Sequence, residues 1–192
     1  MRCLPLVVLV VVACNKSTPP SGSTAEAPSS ATSSVVATPA EVAVGKPAPA
    51  FSVTAADGMV IDSAALKGKP IVLYFYPKDE TPGCTKEACA FRDAWDKLEK
   101  SGVVLVGVSV DTAESHKAFA AHHQLPFHLV SDPKLELAKR FGVDSRDTEK
   151  LGTIISRQTI VIGKDGNVLK IYRTVDPALH AAQIETDLGV AG

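Results

Sequence analysis

This chain lacks any strong excess of charge. Its 192 residues carry 20 lysines and arginines against 21 aspartates and glutamates, a formal net charge of −1. Proteins that bind nucleic acid usually carry a clear excess of basic residues, so we expect no nucleic-acid partner. The hydrophobic content is nonetheless 45%, which is enough for the core of one globular domain.

The chain also lacks an apolar run long enough to stay in a membrane as a helix. The N-terminal run, residues 4–12, follows the basic Arg2 and is about half of the roughly 20 residues that a spanning helix needs. This arrangement is typical of an export signal. The sequence "VVAC" at 11–14 resembles the bacterial lipobox, in which the cysteine is lipidated and begins the mature protein. The A-x-A ending of an ordinary secretory signal is absent.

These features predict a signal peptide over residues 1–13 and a lipid on Cys14. The protein would then be an exported lipoprotein, anchored to a membrane of the bacterial cell envelope, on the periplasmic side. An uncleaved anchor and plain secretion are the alternatives. Residues 15–44 are rich in Ser, Thr, Ala and Pro and cannot bury enough surface to offset the entropy lost on ordering. We therefore predict a lipidated, disordered tether over 14–44 and a folded domain over 45–192.

Cysteine is scarce, with four residues in the whole chain. Cys3 would leave with the signal and Cys14 would carry lipid, so Cys84 and Cys89 remain as thiols in an oxidising compartment. Their spacing does not fit a zinc knuckle, and the five histidines show no metal-ligand spacing with them. We expect no metal site and read the histidines as surface or core residues, with His122 and His123 pointing apart on a helix.

From Gly45 onward the chain alternates strand and helix patterns. This order predicts an α/β protein with a thioredoxin-like fold, a central mixed β-sheet flanked by helices on both faces, and an N-terminal β-hairpin. Hairpin turns are predicted at Asp57-Gly58 and Asp165-Gly166. The predicted strands include 70–77, 103–110 and 127–130, and the predicted helices are 82–100, 113–124, 134–141 and about 177–188.

Cys84 falls at the start of the helix predicted from Pro82. Thr81 and Pro82 are a typical N-cap and first helical residue. In the first turn, unpaired backbone N–H groups and the helix dipole stabilise negative charge, which favours the nucleophilic thiolate. The sequence therefore indicates sulfur chemistry at Cys84.

Helix geometry bears on what Cys89 does. Residues five apart in an α-helix have Cα atoms roughly 8–9 Å apart, whereas a disulfide needs less than about 7 Å. Either the two cysteines never pair, or pairing requires the helix to unwind locally. A structural disulfide should not require its own helix to unfold, but a catalytic pair that cycles could do so.

The segment "PKDETPGC" matches the peroxiredoxin signature P-x-x-x-T-x-x-C through Pro77, Thr81 and Cys84. As a whole, "TPGCTKEACAFRD" resembles the peroxiredoxin Q, or bacterioferritin comigratory protein, branch, and the resemblance extends over about residues 45–188. It implies a peroxidase that reduces hydrogen peroxide and organic hydroperoxides without metal or organic cofactor. It also implies that Cys84 is the peroxidatic cysteine, oxidised to a sulfenic acid, and Cys89 the resolving cysteine that forms a disulfide with it.

The resemblance assigns roles to four more residues. Arg157 matches the arginine that stabilises the thiolate and polarises the peroxide, and Glu87 the acid that orients this arginine. Thr81 would hydrogen-bond the sulfur and the peroxide, and Pro77 would shield the site from water. Each has a simpler interpretation: an exposed charge, a dipole partner, an N-cap and a strand terminator. The loop residues between Pro77 and Thr81, namely Lys78, Asp79 and Glu80, are expected to be solvated.

Two other functions remain open at this stage. An exported thiol–disulfide oxidoreductase of the same fold would carry C-x-x-C and a proline just before the strand facing the site. This chain has four residues between its cysteines and no proline between Pro133 and Pro177. A related copper-delivery protein would need C-x-x-x-C. The second alternative is a non-catalytic binding lipoprotein. Because an exported protein cannot meet cytosolic thioredoxin, we expect an exported thioredoxin-like reductant.

Overall fold

The computed structural model of the chain describes residues 42–190. The predicted signal peptide, Cys14 and nearly all of the predicted tether lie outside these residues. Within them, the helices are too short or too polar for any to traverse a bilayer. The elements in chain order are β1 (Ser52–Thr54), β2 (Val60–Asp62), β3 (Ile71–Phe75), α1 (Pro82–Asp93), α2 (Trp95–Lys100), β4 (Val104–Ser109), α3 (Ala113–His123), β5 (His128–Ser131), α4 (Glu136–Arg140), β6 (Ser145–Thr148), β7 (Gly152–Ile155), β8 (Gln158–Ile162), β9 (Val168–Tyr172) and α5 (His180–Asp187).

A five-stranded mixed sheet forms the centre of the fold, in the order β5-β4-β3-β8-β9. β3, β4 and β5 run parallel, whereas β8 is antiparallel to β3 and β9 to β8. The predicted thioredoxin-like fold is confirmed, and so is the N-terminal hairpin, formed by β1 and β2. The hairpin of β6 and β7 was not predicted, because the exposed, polar residues of β6 show no alternation of apolar and polar side chains.

The central strand β3 separates two apolar cores. Every residue of β3 is buried, and alternate side chains point to opposite faces of the sheet. Val72 and Tyr74 therefore belong to one core, and Leu73 and Phe75 to the other. Side chains from α1, α2, α3 and α5 close the first core, and those from α4 contribute to the second: Phe91, Leu98, Phe119 and Ile184 against Leu137 and Ala138.

The single helix predicted over 82–100 is divided in the structure. α1 ends at Asp93, Ala94 (φ −88°, ψ −5°) is its C-cap, and α2 begins at the next residue, Trp95. Both cysteines of the folded domain lie on α1. Trp95, which falls within the helix predicted over 82–100, lies instead at the start of α2.

Candidate active site

The first turn of α1 begins as the sequence predicts. Thr81 is the N-cap with extended backbone (φ −78°, ψ 144°), and Pro82 is the first helical residue. The Thr81 carbonyl accepts the first helical hydrogen bond, from the Thr85 N–H at 2.8 Å. The Thr81 hydroxyl does not cap the helix; it donates to the Lys78 carbonyl oxygen at 2.9 Å. This bond closes the loop between β3 and α1 directly before the first cysteine.

Cys84 lies in this first turn, and its side chain is almost completely buried, with 2% exposure. Arg157 Nη2 donates a hydrogen bond to Cys84 Sγ at 3.1 Å. The two residues are 73 positions apart, and the sheet brings them together. Gln158 pairs with Phe75 across β8 and β3, so the residue before β8 lies near the point where the chain leaves β3 for α1. The structure thus places a guanidinium against the sulfur.

Glu87 completes a line of three side chains in contact, Cys84, Arg157 and Glu87. It lies nearly one helical turn after Cys84 and is completely buried. Its Oε2 accepts a hydrogen bond from Arg157 Nη1, so that one guanidinium contacts the carboxylate and the sulfur together. Glu87 Oε1 has no hydrogen-bond partner among residues 42–190. The geometry suits a carboxylate that fixes the orientation of an arginine.

The electrostatics of this line follow from its burial. Removal from water raises the pKa of Glu87 to about 7, against the opposing attraction of Arg157. Burial also disfavours the charge on Arg157, but Glu87 and Cys84 beside it outweigh that effect and raise the pKa of the guanidinium. Arg157 therefore keeps its positive charge next to the sulfur at every physiological pH.

Gly83 provides the space for this contact. A Cβ atom placed on Gly83 would lie 3.3 Å from Arg157 Nη2 and 3.9 Å from Pro177 Cγ. A side chain here would push against the guanidinium that reaches the neighbouring residue, Cys84. The lack of a side chain at Gly83 in "TPGC" therefore leaves room for Arg157, a steric requirement that the sequence did not reveal.

Cys89 occupies a different environment on the same helix. It is half-buried, whereas Cys84 is buried, and both sulfurs are free thiols. α1 is continuous from Pro82 to Asp93, so the helical separation between the two cysteines is retained. Pro77 is half-buried in the loop after β3. The roles assigned to Pro77, and to Thr81 toward the sulfur, stay predictions.

The expectation that the loop residues are solvated is wrong for Asp79. Its side chain is 6% exposed, and its carboxylate contacts His116 Nδ1 at 2.9 Å while accepting hydrogen bonds from Tyr76 Oη and Ser115 Oγ, each at 2.7 Å. The Asp79 backbone N–H also donates to Asp111 at 2.8 Å. Apart from Tyr76, the residues that bury Asp79 lie 32 to 37 positions further along the chain. No local pattern in the sequence could therefore predict this burial. This buried network fixes the loop that leads into α1.

The expectation that His122 and His123 point apart is also wrong. Their rings are tilted by 34° to each other with centroids 4.3 Å apart, and both approach the carboxylate of Glu80, each at 3.0 Å. They lie at the C-terminal end of α3, where the side chain of Glu80 reaches them from the loop before α1. Glu80 itself is exposed, as expected.

Tyr74 is a residue behind the site that the sequence analysis did not single out. It is completely buried, and its hydroxyl has no hydrogen-bond partner within the described part of the chain. Burial, together with the nearby Glu87 and Cys84, raises its pKa well above the usual value, so the phenol stays neutral. Gly107 on β4 leaves room for it, because a Cβ there would lie 2.6 Å from Tyr74 Oη. The signal in the sequence was a glycine inside a buried apolar strand.

The fold and the site together define a class of protein. A thioredoxin-like sheet presents a cysteine in the first turn of a helix, and an arginine donates to its sulfur. This is the arrangement of a protein that uses a thiolate as a nucleophile.

Comparison with known proteins narrows this class. The AhpC/TSA family model matches residues 44–171. A chloroplastic peroxiredoxin Q of Triticum aestivum is 46% identical over 144 residues, which cover 74% of this chain and 65% of the relative. A Coxiella burnetii peroxiredoxin, bcp, is 40% identical over 145 residues, or 74% of this chain and 96% of that protein. The chain thus spans somewhat less than two thirds of the length of the wheat relative.

The fold of a solved structure supports the same family as the sequence relatives. The bacterioferritin comigratory protein of Xanthomonas campestris is similar in fold with a TM-score of 0.66 and 32% identity, covering 72% of this chain and 90% of that one. The chain belongs to the AhpC/TSA family, in its peroxiredoxin Q and bacterioferritin comigratory protein branch.

Proposed function

We propose that this protein is a thiol-dependent peroxidase that reduces hydrogen peroxide and organic hydroperoxides through Cys84. The observation that carries the proposal is the 3.1 Å contact from Arg157 Nη2 to Cys84 Sγ. A guanidinium at this distance stabilises a thiolate and offers further N–H donors to an oxygen bound beside the sulfur. The X. campestris relative has alkyl peroxide reduction activity, which supports organic hydroperoxides as substrates.

In the first step, the Cys84 thiolate attacks one oxygen of the peroxide. The S–O bond forms as the O–O bond breaks, the sulfur is oxidised to a sulfenic acid, and the leaving oxygen takes a proton to depart as water or an alcohol. Negative charge grows on the leaving oxygen in the transition state, where the fixed donors of Arg157 stabilise it. Glu87 holds Arg157 in place, and the Thr81 hydroxyl and Pro77 would complete the pocket as predicted.

In the second step, the Cys89 thiol attacks the sulfenic sulfur. An S–S bond forms, the S–O bond breaks, and the oxygen leaves as water. Both cysteines lie on the continuous helix α1, where residues five apart are too far from each other for a disulfide. The first turn of α1 must therefore unwind before Cys89 can resolve the sulfenic acid.

The disulfide returns to two thiols when a dithiol protein reduces it. We propose a thioredoxin-like donor that is itself exported, because the N-terminal sequence predicts a lipoprotein with lipid on Cys14 in the cell envelope. Metabolic labelling with a radioactive fatty acid in the native host tests the location. Label on the wild-type chain that is lost in Cys14→Ser supports it, and absence of label on the wild type contradicts it.

The peroxidase proposal is tested by following free thiols of the prereduced protein after one equivalent of hydrogen peroxide. We expect rapid loss of the Cys84 and Cys89 thiols in the wild type, abolished in Cys84→Ser. Cys89→Ser should react equally fast and stop at a sulfenic acid, detected by mass spectrometry or a dimedone adduct. Cys14→Ser is the matched control, since no step of the proposed mechanism uses this cysteine.

Two outcomes would turn the assignment to another function. Thiol loss at the rate of free cysteine would favour a binding lipoprotein. A slow reaction with peroxide combined with fast exchange against protein disulfides would favour the oxidoreductase. The structure supports the peroxidase over the oxidoreductase because the residue directly before β8 is Arg157, where a thioredoxin-type oxidoreductase would carry a proline.

A further inference from the structure

Three side chains next to the candidate active site form a cluster that the peroxidase mechanism does not use. We call Glu80, His122 and His123 the Glu80 cluster. Glu80 Oε1 lies 3.0 Å from His122 Nδ1, and Glu80 Oε2 lies 3.0 Å from His123 Nε2. One donor atom from each residue lies within 4.8 Å of the other two. Two imidazole nitrogens and a carboxylate thus converge on one point.

The chemistry of the donors indicates the class of ligand. Two imidazoles and one carboxylate are a common ligand set for Zn²⁺, at about 2.0–2.2 Å from each ligand atom. Two ligand atoms on one tetrahedral ion lie roughly 3.3 Å apart. The 3.0 Å contacts in the Glu80 cluster are therefore close to the spacing that a bound ion requires. An ion would take the place of the protons that the carboxylate now shares with the two rings.

One of the ligands, His123, is positioned by the surrounding structure. The ring of His123 is only 16% exposed and packs edge-on against Phe119, with centroids 5.0 Å apart. The His123 carbonyl accepts a hydrogen bond from Arg92 Nη1 at 3.0 Å. Arg92 places a positive charge nearby, but this charge is paired with Asp93 at 2.8 Å. The ring of His123 is therefore held in a defined orientation.

The backbone of Glu80 adds an independent observation. Glu80 adopts a left-handed conformation, with φ of 58°, which is uncommon for a residue other than glycine. The backbone of Glu80 lies directly before Thr81, the N-cap of α1. From this position its side chain reaches His122 and His123 at the C-terminal end of α3. His122 remains 69% exposed, so an ion can reach the cluster from solvent.

We propose that the Glu80 cluster binds a divalent transition-metal ion with a preference for nitrogen and oxygen ligands, of which Zn²⁺ is the representative. The ion links the start of α1 to the end of α3. If the proposed peroxidase function holds, this link slows formation of the Cys84–Cys89 disulfide, because the first turn of α1 must unwind for the sulfurs to meet. The attack of Cys84 on peroxide requires no unwinding and is not slowed by the link.

Binding is tested first, without any dependence on peroxidase activity. Zn²⁺ is titrated by calorimetry into the full-length chain with all four cysteines replaced by serine, so that no thiolate competes for the metal. We expect one ion per chain, and affinity at least about tenfold lower in His122→Asn, His123→Asn and Glu80→Gln. His128→Asn is the matched control, since His128 pairs with a single carboxylate, that of Asp57, at 2.7 Å. Circular dichroism checks that each variant is folded.

Absence of binding to the cysteine-free chain, or equal affinity in all variants, would overturn the proposed metal site.

The restraint that the ion would place on the unwinding of α1 is tested in the cysteine-containing chain. Sulfenic acid and disulfide formation are measured separately, with and without Zn²⁺. We expect slower disulfide formation in the wild type but not in a variant carrying His122→Asn and His123→Asn. Equal slowing of disulfide formation in the wild type and in this variant would mean that zinc acts on the thiols directly. That result would overturn the proposed restraint on α1. Peroxide inertness without zinc would instead overturn the peroxidase function, while leaving the binding result intact.

Discussion

The two cysteines of α1 carry the same functional group in two different environments. Cys84 in the first turn is buried and receives a hydrogen bond from Arg157 at 3.1 Å. Cys89, five residues later, is half-buried. It lies further from the N-terminus of the helix, so the helix dipole stabilises a negative charge on it less. The comparison teaches that position and partners, rather than residue type, distinguish the thiol proposed as the nucleophile from the thiol proposed to resolve it.

The strongest test of this comparison removes the hydrogen bond that Cys84 receives from Arg157. We expect Arg157→Gln to lower the rate of Cys84 oxidation by peroxide about 100-fold, the usual cost of losing one fixed donor to a developing anion. Reaction of Cys89 with an alkylating reagent should not change. Stopped-flow kinetics with hydrogen peroxide measures the first rate and mass spectrometry the second. A variant with an unchanged peroxide rate would show that the helix terminus suffices.

A second test loosens the loop that precedes the first turn. Asp79→Asn removes the charge that binds Tyr76, Ser115 and His116. We expect a loss of about 2 kcal/mol in the free energy of unfolding, since buried hydrogen bonds to a charged group are the stronger kind. Urea unfolding followed by circular dichroism measures it. Asp57→Asn is the matched control, because that carboxylate also pairs with a histidine but is half-exposed. Equal effects in both variants would contradict the special role of the buried network.

A third test concerns the carboxylate behind Arg157. Glu87→Gln removes one charge-assisted hydrogen bond, worth about 1.5 kcal/mol, so we expect the peroxide rate to fall about tenfold. The variant should also change the pH dependence of stability. The pKa of Glu87 is about 7 in the folded protein, against 4.5 ordinarily. Between these values the folded state binds more protons than the unfolded state, so stability falls as pH rises.

This pH dependence has a direct measurement. The stability of the wild type relative to Glu87→Gln should be greatest below pH 4.5 and decrease by on the order of 3 kcal/mol by pH 7 and above. Urea unfolding of both proteins at pH 4.5, 6 and 7.5 gives the difference. A constant difference across this range would mean that Glu87 stays ionised beside Arg157 in the folded protein.

The smallest expected effect is optical. Trp95 lies at the start of α2, directly after the helix that must unwind, and is half-buried 6.1 Å from the ring of Phe127. Disulfide formation should change its fluorescence by a modest amount in the wild type and leave it unchanged in Cys89→Ser. Fluorescence after one equivalent of peroxide checks this. An equal change in both proteins would separate the signal from unwinding.

Much of the fold could be predicted because its signals are local. Continuous apolar runs indicated β3 and β4, and turn residues indicated the β8–β9 hairpin. The β6–β7 hairpin was missed because its exposed polar strands carry no such pattern. Arg157 was found through family resemblance, since nothing near it in the chain distinguishes it from a surface charge.

The sequence by itself determined where the proposed nucleophilic thiol lies, because Thr81, Pro82 and Cys84 define a helix start through short-range backbone preferences. It also determined that the two cysteines are too far apart to pair in an intact helix. Only the tertiary structure decided which cation reaches the sulfur and which loop side chains become buried. Those contacts join residues more than 30 positions apart, and they follow from the register of β3 against β8 and the packing of α3 beside the loop. Such long-range geometry depends on the whole core rather than on any local segment.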